Sequence, residues 1–424
     1  LQVVNEVVDV RQGIVESTLI VMPCGSGKTF TSCCILCRVK RRSLIITNYK
    51  IVANQWKKEL MKNFTIDESR IQCIFDDTFK FDVKDPPDFT IITYDTLTLI
   101  SSSASRQLLT GLLSIDFSII IIDEAHKAVA PNYFSVIIRL SGCFIALTAT
   151  PVREDSDIQL LKQLVSKEKI IFSDELIELG YISKILCTTI VVPMATQLMR
   201  KNFSHNQLTI ANIINPYKII FLCELLAKLM SENKKIMLFC DNIFALKFVS
   251  QKIKHLFSNT FGPISMETSL LNRDKIISDF AQCLNGSIIC VSRTGDEGLD
   301  IPCANTLIQI STTWGSRRQH AQRVGRIQRP FDDENTYCEA ITILSDNTSE
   351  MIYAKKRDEY LKQMKYTVRT IKENKKTVDE EIIKAYIKII KKSEKTKIKK
   401  KKIPVKTQKS GSINHMILKK RMKI

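Results

Sequence analysis

The chain has 424 residues, which is long enough for two or three domains that each bury their own core. Its 44% hydrophobic and 25% charged residues are typical of a soluble globular protein, and no apolar run approaches the roughly 20 residues that span a bilayer, so we expect no membrane contact. The 13 cysteines show no paired spacing, which argues against a disulfide framework and favours a reducing compartment.

Two series of short, uniformly apolar segments alternate with helix-like stretches along the chain. Because such segments are apolar on both faces, they predict strands of buried parallel sheets joined by crossover helices. The first series is 18–22, 43–47, 89–93, 118–122 and 144–148, and the second is 235–239, 287–291, 306–310 and 337–344. The sequence therefore predicts an α/β protein with two parallel-sheet domains.

The segment MPCGSGKT, residues 22–29, follows the first predicted strand and opens a helix. Gly25 and Gly27 let backbone N–H groups face a phosphate, Lys28 reaches the β and γ phosphates, and the Thr29 hydroxyl binds Mg²⁺. Met22 stands where the full pattern has its first glycine, so an ordinary glycine-rich turn stays open as the alternative. The predicted nucleotide cradle consists of Pro23, Cys24, Gly25, Ser26, Gly27, Lys28 and Thr29.

The segment IIIIDEAH, residues 119–126, places two carboxylates at the carboxyl end of a buried strand, where α/β sheets bind ligands. We predict that Asp123 holds Mg²⁺ and that Glu124 orients and deprotonates the attacking water. An isolated Asp-Glu pair is more often a helix N-cap, but a phosphate loop about one hundred residues upstream in the same domain favours the catalytic interpretation.

Arginines crowd the segment GSRRQHAQRVGRIQRP, residues 315–330, in the second predicted domain. Guanidinium groups that neutralise charge on a γ phosphate accelerate its transfer by about 10³ to 10⁵. Arg326 and Arg329 are three residues apart, so on a helix they share a face. Without the first two motifs, this segment indicates no more than a basic patch.

The net charge of +19 is concentrated at the C-terminal end. Residues 371–424 contain 19 Lys and Arg against 5 Asp and Glu, whereas residues 1–370 contain 44 against 39. The lysine-rich core of this segment repels itself and cannot bury a core, so we expect disorder beyond about Lys391. A solvated tail, a nuclear-import signal and a sequence-independent grip on phosphates all fit this composition.

The order of the motifs resembles superfamily 2 helicases, which close two RecA-like domains around ATP. It runs through PCGSGKT, DEAH, TAT at 148–150, TGDEGLDIP at 294–302 and QRVGRIQR at 322–329. Within that superfamily the chain resembles the XPB family, from about Gln2 to about Glu373. The segments that carry this resemblance are RED at 153–155, DNIFALK at 241–247, TLIQISTTWGSRRQHAQRVGR at 306–326 and SEMIYAKKRDEYL at 349–361.

The resemblance implies two halves of one ATP site. The first half holds the nucleotide and Mg²⁺ through Lys28, Thr29, Asp123 and Glu124. The second half comprises Gly295, Asp296, Gln322, Arg326 and Arg329, of which the last three act in catalysis with Glu124. The residues that couple nucleotide and nucleic-acid sites are His126, Thr148, Ala149 and Thr150.

The resemblance also implies contacts with DNA. The residues are Thr47, Gln55, Trp56, Thr93, Arg153, Glu154 and Asp155, and 199–216 lies where the family has a DNA-gripping thumb. We predict four segments: a RecA-like motor domain at 1–178, a linker with a thumb-like element at 179–215, a second RecA-like motor domain at 216–370, and a basic, disordered lysine-rich tail at 371–424.

The function implied is an ATP-dependent DNA helicase or double-stranded DNA translocase, with 3′ to 5′ polarity. Its expected setting is promoter opening and nucleotide excision repair in the nucleus, with other subunits of a TFIIH-like complex as partners. Ala125 replaces the family's usual valine, and the damage-recognition and subunit-binding region of eukaryotic members does not precede the motor in this sequence.

Two alternatives are an RNA-directed DEAH motor and a non-catalytic scaffold on a motor fold. The RED segment at 153–155 argues against the first, and intact Lys28, Glu124, Arg326 and Arg329 argue against the second.

Overall fold

The computed structural model describes most of the chain. The described residues are 2–9, 14–23, 25–76, 79, 82, 84–101, 106–149, 158–293, 301, 303–312, 317–328, 337–374 and 378–401. Eight predicted site residues lie outside the described residues: Cys24, Thr150, Arg153, Glu154, Asp155, Gly295, Asp296 and Arg329.

The first domain contains a small antiparallel pair, β1 (Val8–Asp9) and β2 (Ile14–Val15), and a seven-stranded sheet. The strands of the sheet are β3 (Thr18–Val21), β4 (Ser43–Thr47), β5 (Ile71–Ile74), β6 (Phe89–Thr93), β7 (Ile119–Ile122), β8 (Cys143–Thr148) and β9 (Lys167–Ile170). Their order is β5-β6-β4-β7-β8-β3-β9, and every neighbouring pair is parallel. The predicted parallel sheet is therefore confirmed.

Helices cover both faces of this sheet, which explains why its strands are apolar on both sides. Within β7, Ile120 and Ile122 belong to one hydrophobic cluster and Ile119 and Ile121 to the other. The helices are α1 (Gln2–Val7), α2 (Lys28–Val39), α3 (Lys50–Asn63), α4 (Tyr94–Ser101), α5 (Arg106–Ser114), α6 (Pro131–Ile137), α7 (Ile158–Leu164) and α8 (Ser173–Glu178), with 3₁₀ turns at Glu68–Arg70 and Ala125–Lys127.

The second domain repeats this architecture with another parallel seven-stranded sheet. Its strands are β10 (Ile185–Val192), β11 (Lys235–Phe239), β12 (Thr260–Ile264), β13 (Ser287–Val291), β14 (Thr306–Gln309), β15 (Cys338–Ser345) and β16 (Thr367–Lys372), in the order β12-β13-β11-β14-β15-β10-β16. Its helices are α9 (Thr196–Met199), α10 (His205–Ile213), α11 (Pro216–Ser231), α12 (Ile243–Leu256), α13 (Leu270–Gln282), α14 (Arg317–Ile327), α15 (Ser349–Gln363) and α16 (Glu380–Lys401).

The second domain begins before the predicted boundary at residue 216. β10 lies between β15 and β16 in the second sheet, within the segment 179–215 that we predicted to be a linker. Leu198 of α9 and Ile210 of α10 join the core of the same domain. The linker prediction is wrong for 185–192, because the strands that pair with β10 come much later in the chain.

The segment 371–424, predicted as a tail, includes the helix α16. Ile383, Tyr386 and Ile390 of α16 are buried in the core of the second domain. The helix extends to Lys401, past the point where we expected disorder to begin, and 402–424 lie outside the described residues.

Among the described residues, one apolar segment, His205–Ser231, is long and hydrophobic enough to cross a membrane by length and composition, and its most apolar 18-residue window has a mean hydropathy of 1.4. It comprises α10 and α11, which are separated at Asn215, and 56% of its most apolar window is buried inside the protein. These properties are typical of core helices, and Leu222 and Leu226 indeed belong to the core of the second domain.

Candidate active site between the two domains

The phosphate loop turns sharply between β3 and α2. Gly25 and Gly27 have positive φ angles of 78° and 87°, in the left-handed region that favours glycine. The Lys28 Nζ donates hydrogen bonds to the carbonyl oxygens of Met22 and Pro23, each at 3.2 Å, and the Ser26 hydroxyl donates to Pro23 O at 2.6 Å. The lysine ammonium thus lies over the loop that it is predicted to serve.

The second domain reaches this loop through α14. A Cβ atom placed on Gly25 would lie 2.7 Å from the carbonyl oxygen of Gly325, closer than such atoms approach in proteins. Two features therefore favour glycine at position 25: its positive φ angle, and the close approach of α14, which leaves no room for a Cβ atom.

Asp123 is held at the end of β7 by three elements of the first domain. Trp56 Nε1 of α3 donates to Asp123 Oδ2 at 3.0 Å, and the Thr47 hydroxyl of β4 lies 3.4 Å from the same oxygen. Asp123 Oδ1 accepts from the backbone N–H of Glu124 at 3.0 Å, and Tyr94 donates its hydroxyl to the Asp123 carbonyl oxygen at 3.0 Å. The position of this carboxylate is thus fixed before any ligand binds.

The electrostatic environment of Asp123 favours a cation. Burial, followed by the neighbouring Glu124 carboxylate, raises the pKa of Asp123, while the Trp56 hydrogen bond and the Lys28 charge lower it. Among the described residues no cluster of three or more His, Cys, Asp or Glu side chains could hold a metal alone. Mg²⁺ bound with a nucleotide needs only one or two carboxylates, so Asp123 with the Thr29 hydroxyl fits that ion.

Glu124 connects the two domains. Its backbone is left-handed, with φ 51°, and its side chain is half-buried. Its Oε1 accepts a hydrogen bond from Gln322 Nε2 of α14 at 3.2 Å, and its Oε2 lies 3.4 Å from His126 Nδ1. The sequence placed Glu124 and Gln322 in one site although 198 residues separate them, and the structure brings them together.

The helix α14 presents further residues to this interface. Arg326 lies one turn after Gln322 and is half-buried, so both side chains project from the same side of α14. Met22 at the end of β3 donates its N–H to the Thr148 carbonyl oxygen at 3.0 Å, which links the phosphate loop to the predicted coupling segment. Thr148 and Ala149 are buried.

Three residues predicted to contact DNA are buried inside the first domain. Trp56 and Thr47 are 1% and 0% exposed and point to Asp123, and Thr93, 3% exposed, shares a hydrogen bond with Thr96 at 2.8 Å. Their side chains therefore do not form a DNA-contacting surface here, because α3, β4 and β6 turn them inward. Gln55, next to Trp56, is half-buried.

Sequence reasoning missed the role of Asp241 in the second domain. Its carboxylate accepts from the Ser311 hydroxyl at 3.2 Å, from Arg293 at 3.1 Å and from Arg323 at 3.2 Å, and the Arg323 guanidinium lies 3.6 Å from the centre of the Phe239 ring. Asp241 thereby holds α14 to the end of β11. The DNIFALK segment contained this residue, but only the folded chain shows its partners.

A phosphate loop and an Asp-Glu pair on one parallel-sheet domain, facing an arginine-bearing helix on a second, define the class of two-domain helicase motors. Comparison with known proteins gives the family. Residues 176–421 match the ERCC3/RAD25/XPB C-terminal helicase, and residues 2–153 match the res subunit of type III restriction enzymes. The chain belongs to the ERCC3/RAD25/XPB helicase family.

Similar proteins include the general transcription and DNA repair factor IIH helicase/translocase subunit XPB of Danio rerio, 32% identical over 376 residues. The corresponding subunit of Enterocytozoon bieneusi is 30% identical over 374 residues. Each alignment covers 85% of this chain but only 46% and 60% of the respective relative, so the chain spans about half the length of these relatives.

Among solved structures, Saccharomyces cerevisiae Dbp5 bound to RNA and ADP BeF3 superimposes with a TM-score of 0.58 at 16% identity. The match covers 89% of each chain. At this identity the likeness concerns the fold, and it confirms the tandem arrangement of two helicase-type α/β domains.

Proposed function

We propose that this chain is an ATP-dependent DNA helicase or double-stranded DNA translocase of XPB type. The observation that carries the proposal is the hydrogen bond between Glu124 and Gln322, because it joins the carboxylate predicted to activate water to the helix predicted to carry the arginine fingers. A site assembled from both domains changes when the domains separate, which is the requirement for converting hydrolysis into movement.

In the proposed reaction, the phosphate loop binds the phosphates of ATP and Lys28 exchanges the carbonyl oxygens of Met22 and Pro23 for a phosphate oxygen. Asp123 and Thr29 would hold Mg²⁺, which would neutralise phosphate charge when bound. Glu124 orients the attacking water and accepts its proton. Arg326 and Arg329 stabilise the charge that develops on the transferred group. Gln322 positions Glu124 relative to these arginines through its hydrogen bond.

The proposed substrate is duplex DNA, gripped through its phosphates with little sequence preference and strong salt dependence. Support comes from the names of the relatives, which are subunits of a general transcription and DNA repair factor. By the same resemblance we assign 3′ to 5′ movement, promoter opening and nucleotide excision repair in the nucleus, with other subunits of a TFIIH-like complex as partners.

The test is the steady-state ATPase activity of the full chain without nucleic acid, with duplex DNA, with single-stranded DNA and with RNA. We expect duplex DNA to stimulate turnover most, and Lys28→Ala to abolish turnover under every condition. Stimulation by RNA alone would replace the proposal with an RNA-directed motor. A chain that binds DNA but shows the same negligible turnover as Lys28→Ala, alone and with its partner subunits, would favour the scaffold alternative.

A further inference from the structure

The helix α16 is amphipathic, and its apolar face is already occupied. Ile383, Tyr386, Ile390 and Ser393 are buried, at spacings of three, four and three residues that place them on one side of a helix. The Tyr386 ring packs edge-on against Phe248 of α12, with ring centres 5.4 Å apart. The same side of α16 contacts α9, α10 and α11. The first half of α16 is thus a docked part of the second domain.

The outer side of α16 carries a row of lysines. Lys384, Lys388 and Lys391 are exposed and are spaced four and three residues apart, so they form one stripe. At 1.5 Å per residue the stripe extends about 10 Å along the helix, which equals about three of the 3.4 Å charge spacings of one DNA strand measured along the duplex axis. Glu380, at the start of the helix, lies 4.0 Å from Lys384 in an exposed and therefore weak ion pair.

Further positive charge accompanies this stripe. Arg200 and Lys201 are exposed directly after α9, which packs against α16. In the sequence, residues 384–409 contain 12 lysines, the three of the stripe included, and a single acidic residue, Glu394. We call Lys384, Lys388 and Lys391 the lysine face.

The lysine face is separate from the nucleotide site. The buried residues of α16 belong to the hydrophobic cluster on one side of the second sheet, whereas Val324 and Ile327 of α14 belong to the cluster on the other side. Changes at the exposed lysines therefore leave Gln322 and Arg326 in their places.

We infer that the lysine face is an auxiliary binding surface for the phosphate backbone of duplex DNA, outside the cleft between the domains. Lysine ammonium groups on a rigid helix bind phosphates as point charges, without reading bases, and each contact releases counterions. Docking of the apolar face fixes the spacing of these charges before DNA binds, so little ordering of backbone opposes binding. The choice of duplex DNA as the ligand rests on the proposed function.

The experiment compares two triple variants of the full chain that lose the same charge. In the first, Lys384, Lys388 and Lys391 are replaced by Gln. In the control, the exposed Lys355, Lys356 and Lys362 of α15, on the other side of the sheet, are replaced by Gln. The Kd for a fluorescent duplex of arbitrary sequence is measured by anisotropy between low and moderate salt, and ATPase activity is measured at saturating duplex.

We expect the α16 variant to bind duplex about tenfold more weakly at low salt, and its slope of log K against log salt to become shallower by about 0.9 for each phosphate that it no longer neutralises. The control keeps the slope of the unmodified chain, and both variants keep its ATPase activity at saturating duplex. An equal loss in the two variants would overturn the inference, because general charge would then explain it.

An unchanged slope of log K against log salt in the α16 variant would also overturn the inference. The lysines would then be assigned to binding an acidic protein partner. The two proposals fail separately. Absence of DNA-stimulated ATPase in the unmodified chain refutes the proposed function, whereas the difference in salt slope between the variants tests the lysine face by itself.

Discussion

At Trp56 a buried indole takes the place of the DNA contact that the sequence led us to expect. The residue pair Gln55-Trp56 would have the same sequence whether the tryptophan faced a duplex or the core, so pattern alone could not choose. In the structure the ring N–H donates to Asp123 at 3.0 Å. Trp56 is therefore a positioning residue for the carboxylate predicted to hold Mg²⁺.

We predict that Trp56→Phe keeps the fold but impairs the metal site. The ring still fills the core, while Asp123 loses a donor whose hydrogen bond to a charged group is worth about 1.5–3 kcal/mol, so turnover should fall about 10–100-fold and half-saturation should need more Mg²⁺. The measurement is an Mg²⁺ titration of ATPase activity. The control is Phe64→Leu, at the end of the same helix and packed against Phe89. An unchanged Mg²⁺ dependence in Trp56→Phe would refute the positioning role.

The raised pKa of Asp123 makes a second prediction, about stability. Burial and Glu124 raise the pKa of this carboxyl in the folded chain above its value in the unfolded chain, so the ionised form destabilises the fold. This cost is complete above the folded-state pKa and disappears as the pH falls below about 3.9, the value for an unfolded Asp. We expect Asp123→Asn, without Mg²⁺, to be more stable than the parent at pH 7 and to lose its ATPase activity.

The measurement is urea unfolding of both proteins from pH 7 down to pH 4. The stability difference between Asp123→Asn and the parent should shrink as the pH falls and should also shrink when Mg²⁺ and nucleotide are added to the parent. A difference independent of pH would mean that the substitution acts through packing.

At the scale of elements, the end of β11 is tied to α14 by Asp241. Arg323 is 2% exposed, so removing Asp241 would take a carboxylate partner away from a buried cation. We predict that Asp241→Ala destabilises the second domain by about 3–5 kcal/mol. Arg293→Ala is the matched control, because the Arg293 side chain is 55% exposed and its ion pair with Asp241 should contribute at most about 1 kcal/mol. Urea unfolding distinguishes the two, and equal small effects would contradict the prediction.

Most of the strands that the sequence missed lie at the edges of the two large sheets. β3, β4, β6, β7, β8, β11, β13, β14 and β15 are interior to their sheets and match the predicted apolar segments closely. The four edge strands, β5, β9, β12 and β16, were all missed, and so was one interior strand, β10, which lies in the segment predicted to be a linker. Lys167–Ile170 and Thr367–Lys372 are largely polar, and Thr260–Ile264 contains Pro263, because an edge strand has one unpaired side and can expose part of its surface.

The site was predictable to the extent that its chemistry lies in contiguous motifs. Lys28, Asp123 and Glu124 follow strand ends, where a parallel sheet binds ligands, so their grouping could be expected. Asp241 and Trp56 act through partners far away in sequence, and no local pattern marks them. The docking of α16 was also hidden, since lysines dominate the composition of the segment that contains the buried Ile383, Tyr386 and Ile390.

At the scale of the whole molecule, the two domains touch where Gly25 meets Gly325. We predict that Gly25→Ala acts as a wedge, because its Cβ would lie 2.7 Å from the Gly325 carbonyl oxygen and would push α14 away. Energy transfer between dyes on the two domains should show a smaller closed population. Gly27→Ala is the control: it places the same strain on a left-handed residue of the same loop, but its Cβ is 3.9 Å from its nearest neighbour, Phe30 of its own domain. Equal opening in both variants would show that loop strain, rather than the wedge, separates the domains.

Because α16 is docked on the second domain, its exposed lysines belong to one of the two domains. Its lysines move as a rigid body with the second sheet, and they stay at a fixed distance from α11 and α12 whatever the first domain does. A duplex bound there would move with the second domain, while the first domain moves relative to the duplex. Binding of DNA to one domain alone would give the opening and closing of the two domains a leading and a trailing end.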